Sequence, residues 1–262
     1  MASTNKKIIQ LNDVAIAYGK SVLWKDINLD IPENNIIAVL GLNGTGKSSL
    51  LRCIAGLQKI NSGSILLDQK LLQHYSAEAL SKKLGIVLSG RGDVVQSLTV
   101  MEILNMARSP YTGFMHVLQK EDKKIVEDVI RQFNVEAFAN RPVYQLSDGE
   151  MQKVMIAKVL IQETPIILLD EPTSHLDIIN KLEIFSHIKK LKSQNKTILF
   201  ASHELDLAIE IADYCILLSH NKEYIFGETE TLINDKQFEY FFNTNNFKFN
   251  PAKRKFESDL SN

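Results

Sequence analysis

Residues 41 to 48 read Gly-Leu-Asn-Gly-Thr-Gly-Lys-Ser and fit the pattern G-x-x-x-x-G-K-[ST]. Gly41, Gly44 and Gly46 allow the backbone to bend so that successive N–H groups converge on phosphate oxygens. Lys47 supplies a positive charge for the β- and γ-phosphates, and the Ser48 hydroxyl can ligate Mg²⁺. Asn43, Thr45 and Ser49 share the loop and the helix start and are further candidate nucleotide contacts. A helix beginning at this point adds its partial positive charge. A second chemical element lies far downstream, where the apolar run Pro165 to Leu169 ends in Asp170-Glu171. An Asp at a strand end can hold Mg²⁺, and the adjacent Glu is placed to polarise a water for attack on a γ-phosphate. The pair is a weak signal alone and a strong one with the loop upstream. Together they imply a bound nucleoside triphosphate.

These residues need strands and helices to position them. Ile36 to Leu40 is an apolar, β-branched run that predicts a buried strand, and Ser48 to Gly56 reads as a helix ending at glycine. From Ile8 to Ile31 the apolar residues are spaced as in strands, with a turn around Gly19-Lys20. Further strands are expected at Ser64 to Leu67 and Gly85 to Leu88, with a short helix at Ala77 to Lys83. Between Val100 and Val159 the periodicity becomes helical. Strand and helix then alternate: Pro165–Asp170, Ile178–Lys192, Thr197–Ala201, Glu204–Ala212 and Cys215–Leu218. The expected fold is α/β, a phosphate-loop NTPase core with a mostly parallel sheet, an N-terminal antiparallel β region and an inserted α-helical subdomain. The domain spans 1–242 with the helical insertion at about 95–162, and 243–262 is a partly flexible tail rich in Asn, Lys and Ser.

Bulk composition narrows the class. The 262 residues hold 30 basic and 31 acidic side chains, a net charge of −1, so no global field attracts nucleic acid. No apolar run approaches the roughly 18 residues that span a bilayer, and Met1 to Lys7 lacks an apolar signal core. Cys53 and Cys215 match no metal-ligand spacing and read as reduced, buried thiols. The expected location is cytoplasmic.

Between the two nucleotide elements lies Leu146-Ser147-Asp148-Gly149-Glu150, which resembles the signature motif of ATP-binding-cassette (ABC) ATPases, usually Leu-Ser-Gly-Gly-Gln. Pro172 to Asp177 resembles the family's D-loop, and Ala201-Ser202-His203-Glu204 its switch-histidine region. Tyr18 sits where the family stacks an aromatic ring on adenine, with core packing as its plainer alternative. The resemblance runs from about residue 8 to residue 235. It implies ATP and Mg²⁺ as cofactors, with Ser48 and Asp170 at the metal. It also implies a homodimer in which Ser147, Asp148, Gly149 and Glu150 of one subunit face the nucleotide of the other. Glu171 would then be general base, with His203 and Lys47 at the γ-phosphate.

Two features depart from that pattern. The glutamine expected after the strand at Gly85–Leu88 is replaced by Ser89 or Gly90, with Gln96 too far downstream. Asp148 and Glu150 place carboxylates in the signature, where a polyphosphate would be repelled unless they point away or meet a base. Met106 to Gly113, with Arg108, Pro110 and Tyr111, resembles a segment of importers of iron-siderophore, haem and cobalamin complexes; a helix end with a Pro turn is its plain alternative. The resemblance implies a polytopic membrane permease as partner, indirectly a substrate-binding protein, no nucleic acid, and a place at the cytoplasmic face of the inner (plasma) membrane. A cassette exporter subunit, a soluble cassette outside transport and a non-catalytic binding module are the competing classes.

Overall fold

Two long strands, β1 (Lys7–Tyr18) and β2 (Ser21–Pro32), pair antiparallel from Lys7↔Pro32 to Tyr18↔Ser21. Their inward residues Ile9, Leu11, Ile16, Trp24, Ile27 and Ile31 are fully buried, while Asn12, Lys25, Asn28 and Asp30 on the other face are exposed. The computed structural model describes residues 6–18, 21–89, 97–113, 117–244 and 247–258, without the side chains of Tyr18 and Ser21. The adenine-stacking expectation for Tyr18 and the glutamine alternatives at Gly90 and Gln96 thus lie outside what is described.

β3 (Ile36–Gly41) leads through the Gly-rich loop into α1 (Lys47–Ile54). β4 (Ser62–Leu67) and β5 (Lys70–Leu71) complete the antiparallel sheet in the order β2-β1-β4-β5. After α2 (Ala77–Ser81) comes β6 (Leu84–Val87), then the helices α3 (Val100–Met106), α4 (Lys120–Gln132) and α5 (Asp148–Ile161). Strand and helix then alternate as the sequence predicts. These are β7 (Ile166–Asp170), α6 (Ile178–Lys192), β8 (Thr197–Ser202), α7 (Leu205–Ile211) and β9 (Tyr214–Leu218). β10 (Tyr224–Glu228) closes a six-stranded sheet of order β10-β9-β3-β8-β7-β6, antiparallel only at β10.

The central strands are buried on both faces, as a helix-covered parallel sheet requires. Ile37 and Val39 face α1 and the antiparallel sheet, while Ile36, Ala38 and Leu40 face the core shared with α5, α6 and α7. The helical insertion joins that second core through Val126, Ile130, Phe133 and Val154. Phe133 also stacks on His187 of α6 at 4.2 Å.

Within the segment 243–262, expected as a partly flexible tail, residues 247–258 form a hairpin. After α8 (Thr229–Asn234) and α9 (Gln237–Phe242), strands β11 (Phe247–Asn250) and β12 (Lys255–Ser258) pair antiparallel. Phe249 is buried and stacks on Phe238 at 5.1 Å, and Phe256 meets Phe242 at 5.8 Å. The Phe256 N–H donates to Asp206 at 3.0 Å. The Asn- and Lys-rich composition suggests solvation, but the aromatic side chains provide enough apolar area to dock the segment.

Candidate functional site

Parallel strands place their carboxyl ends along one edge, and the chemically distinctive residues collect there. β3 ends at Gly41, β7 at Asp170 and β8 at Ser202, with β7 and β8 paired at Asp170↔Ala201. Glu171 and His203 follow directly, so neighbouring strand ends deliver them together although they lie 32 positions apart.

The loop curls before α1 with Gly46 at φ 95°. A side chain at Gly46 would be doubly excluded: that φ is left-handed, and a Cβ would lie 2.5 Å from Nε1 of Trp24. Lys47 is 4% exposed; its Nζ donates to the carbonyls of Gly41 at 2.9 Å and Leu42 at 3.2 Å. Burial pushes its pKa down, with the charges of Glu171 and Asp170 opposing. The same Nζ lies 3.5 Å from His203 Nδ1. An ammonium can only donate, so Nδ1 accepts and the proton belongs on Nε2, which donates to Glu171 Oε1 at 2.6 Å. Ser174 donates to the other Glu171 oxygen at 2.9 Å. Lys47, His203 and Glu171 form one continuous polar chain.

Asp170 is 1% exposed and receives two hydroxyl hydrogen bonds: from Ser48 to Oδ1 at 2.7 Å and from Ser89 to Oδ2 at 3.0 Å. A hydroxyl beside a carboxylate is a hard-oxygen donor set that fits Mg²⁺, which uses one or two carboxylates together with substrate phosphates. Among the described residues no group of three or more His, Cys, Asp or Glu side chains could hold a metal unaided, and this mode of binding needs none.

A cleft of about 400 Å³ opens over the loop, lined by Leu23, Asn43, Gly44, Gly46, Lys47, Ser48, Ser49 and Glu171. Of the candidates, Thr45 turns inward and donates to Leu42 O at 2.9 Å, while Gly41 contributes its carbonyl to Lys47. The signature residues are not part of the cleft. Ser147 caps α5 in a reciprocal box with Glu150, donating to its carboxylate at 3.0 Å while accepting from the Glu150 N–H at 3.2 Å. Asp148 lies exposed in the first turn, and Glu150 has Arg141 at 3.8 Å. Gly149 packs against Asn180 of α6. Leu23, Trp24 and Ser174 were not singled out from sequence. Ser174 sits inside the D-loop match, but nothing local marks Leu23 or Trp24, because a sheet folded beneath the loop brings them there.

Met106 to Gly113 is a junction. Arg108 is buried, donating to Asp122 of α4 at 2.8 Å, to Ile161 O of α5 at 2.9 Å and to Glu163 at 2.8 Å. Tyr111 lies beneath its guanidinium at 4.2 Å. Met106 stays exposed on a groove of about 550 Å³ shared with Pro110, Ala77 and Lys158.

Comparison with known proteins places this geometry. Residues 24–174 match the family model described as ABC transporter. The chain is 32% identical over 232 residues to the petrobactin import ATP-binding protein of Bacillus anthracis, covering 88% of this chain and 85% of that one. It is similar to a metal-chelate type ABC transporter solved in an inward-facing conformation, with TM-score 0.76 and 28% identity, covering 90% of this chain and 89% of that one. A dimeric ATP-binding cassette bound to ADP and Pi matches with TM-score 0.73 and 27% identity, over 84% and 98% of the two chains. The chain belongs to the ABC transporter family as one of its ATP-hydrolysing cassettes.

Proposed function

We propose that the chain is the ATPase subunit of a bacterial importer of iron-siderophore, haem or cobalamin type complexes. It would work as a homodimer with a separate polytopic permease at the cytoplasmic face of the inner membrane, served by a substrate-binding protein. The observation that carries the catalytic part is the Lys47–His203–Glu171 chain at the strand ends, with Ser48 and Asp170 beside it. The importing direction rests on the similarity to the petrobactin import protein and the metal-chelate transporter, together with the Met106–Gly113 segment.

In this reading the loop N–H groups and Lys47 hold the phosphates. Ser48 and Asp170 hold Mg²⁺, which supplies charge to the phosphate oxygens. Glu171 takes the proton of the attacking water, and His203 orients Glu171 through Nε2 while facing Lys47 through Nδ1. Tyr18 stacks on adenine. Ser147 and the Gly149 N–H, at the start of α5, approach the γ-phosphate from the second subunit, so Ser147 must then exchange its Glu150 partner for a phosphate oxygen. Their absence from the cleft of their own subunit favours this arrangement.

Glu171→Gln tests the catalytic part. It keeps the side-chain shape and removes the base, so turnover should fall by roughly 10²–10⁴ while ATP still binds and a dimer accumulates on size exclusion. Wild-type turnover would remove Glu171 from the role. For the transport part, a tagged copy purified from solubilised membranes of its own cells should bring a polytopic permease identifiable by mass spectrometry. Recovery with ribosomes alone would overturn it.

A further inference from the structure

Ser89 is one of the two positions, with Gly90, where the family resemblance calls for a glutamine, and it is not idle. β6 runs parallel to β7 with Val87 opposite Leu169, so two residues later the chain passes beside the end of β7. There Ser89 Oγ donates to Asp170 Oδ2 at 3.0 Å while Ser48 Oγ donates to Oδ1 at 2.7 Å. The terminal torsion of an aspartate is soft, and one donor leaves the carboxylate plane free to turn. A donor on each oxygen fixes that plane. The carboxylate is fully buried, so no exposed water competes for the same lone pairs.

We propose that Ser89 is a positioning residue for the metal carboxylate: its hydroxyl holds Asp170 Oδ2 so that Oδ1 is presented beside Ser48. This rests on the nucleotide-site reading above. Outer-sphere partners of this kind change metal affinity by about 10- to 100-fold when removed. Ser89 therefore sets the affinity of the nucleotide complex for its divalent ion, not the affinity for the nucleotide itself.

The test compares wild type, Ser89→Ala and Ser89→Thr with two probes. Binding of a non-hydrolysable ATP analogue is measured first in EDTA. Mn²⁺ binding to each analogue complex is then measured by electron paramagnetic resonance. The expected result is equal analogue affinity without metal, Mn²⁺ binding about tenfold weaker in Ser89→Ala, and recovery towards wild type in Ser89→Thr, which keeps the hydroxyl. Three results overturn the inference: unchanged Mn²⁺ affinity in Ser89→Ala, equal weakening in Ala and Thr, or loss of metal-free analogue binding in Ser89→Ala. A wild-type protein that binds no analogue brings down the nucleotide-site reading first, and this inference with it.

Discussion

Replacing Arg108 by Met separates a structural junction from a partner-facing ornament. The methionine keeps most of the side-chain length but deletes the guanidinium, so Asp122, 8% exposed at its side chain, loses its cation inside the fold. A buried charge deprived of its partner costs about 3–5 kcal/mol. The Glu163 arm adds little, because that carboxylate is half exposed and exposed pairs are worth about 0–1 kcal/mol. Losing the guanidinium over Tyr111 adds about 0.5–1 kcal/mol. The total of about 3.5–7 kcal/mol should lower the melting temperature by roughly 7–28 °C, at about 2–4 °C per kcal/mol for a chain of this size. Urea unfolding followed by circular dichroism reads the same loss. The double variant Arg108→Met/Asp122→Asn is the sharper arm: with no buried charge left, it should recover about 2 kcal/mol relative to the single change. Full recovery is not expected, since the Ile161 carbonyl, which accepts from Arg108 at 2.9 Å, loses that donor in both variants. A single-variant loss below about 1 kcal/mol, or a double-variant loss equal to the sum of both singles, would refute the account.

Gly46→Ala places a side chain at φ 95° against Trp24, whereas Gly44→Ala at φ 80° meets open space. ATP affinity by equilibrium binding should fall at least about tenfold for Gly46, from a strain of about 1–3 kcal/mol plus the clash, and distinctly less for Gly44. Equal losses would show that backbone conformation alone decides. Burial pushes the Cys53 thiol up to about 11 and Cys215 to about 12, so neither should react with a thiol reagent in the native protein at pH 8.5. Each raised thiol contributes stability that is complete below its ordinary value of 9.0 and is lost as pH rises towards 11–12, because the unfolded chain ionises first. A Cys215→Ala variant should thus lose stability less steeply than wild type above pH 9, by about 1.4 kcal/mol per pH unit; parallel slopes in urea titrations would contradict this.

The chemical residues were legible because their spacing encodes one strand–loop–helix unit and one apolar strand ending in Asp170-Glu171. Their mutual contacts were less so. That His203 meets both Lys47 and Glu171 follows only once β8 is known to lie between β3 and β7. Nothing near Ser89 announces a carboxylate 81 positions away, since the β6–β7 register makes that contact. β10, α8 and α9 escaped because each is short and takes its stability from packing against β9 and the core, not from its own periodicity. The hairpin carried a signal in the alternation Phe247-Lys248-Phe249-Asn250, outweighed by the polar composition around it.

The chain has one tryptophan, and the fold sets that residue directly beneath the phosphate loop. Trp24 is 1% exposed, its Nε1 has no hydrogen-bond partner among the described residues, and it stands edge-on to Tyr224 at 6.5 Å. Its emission is therefore that of a single, buried indole set against Gly46 of the loop. Displacement of the loop by a ligand changes the field at that ring with no second tryptophan to dilute the response. The protein carries its own optical gauge of the loop, readable by intrinsic fluorescence without labels.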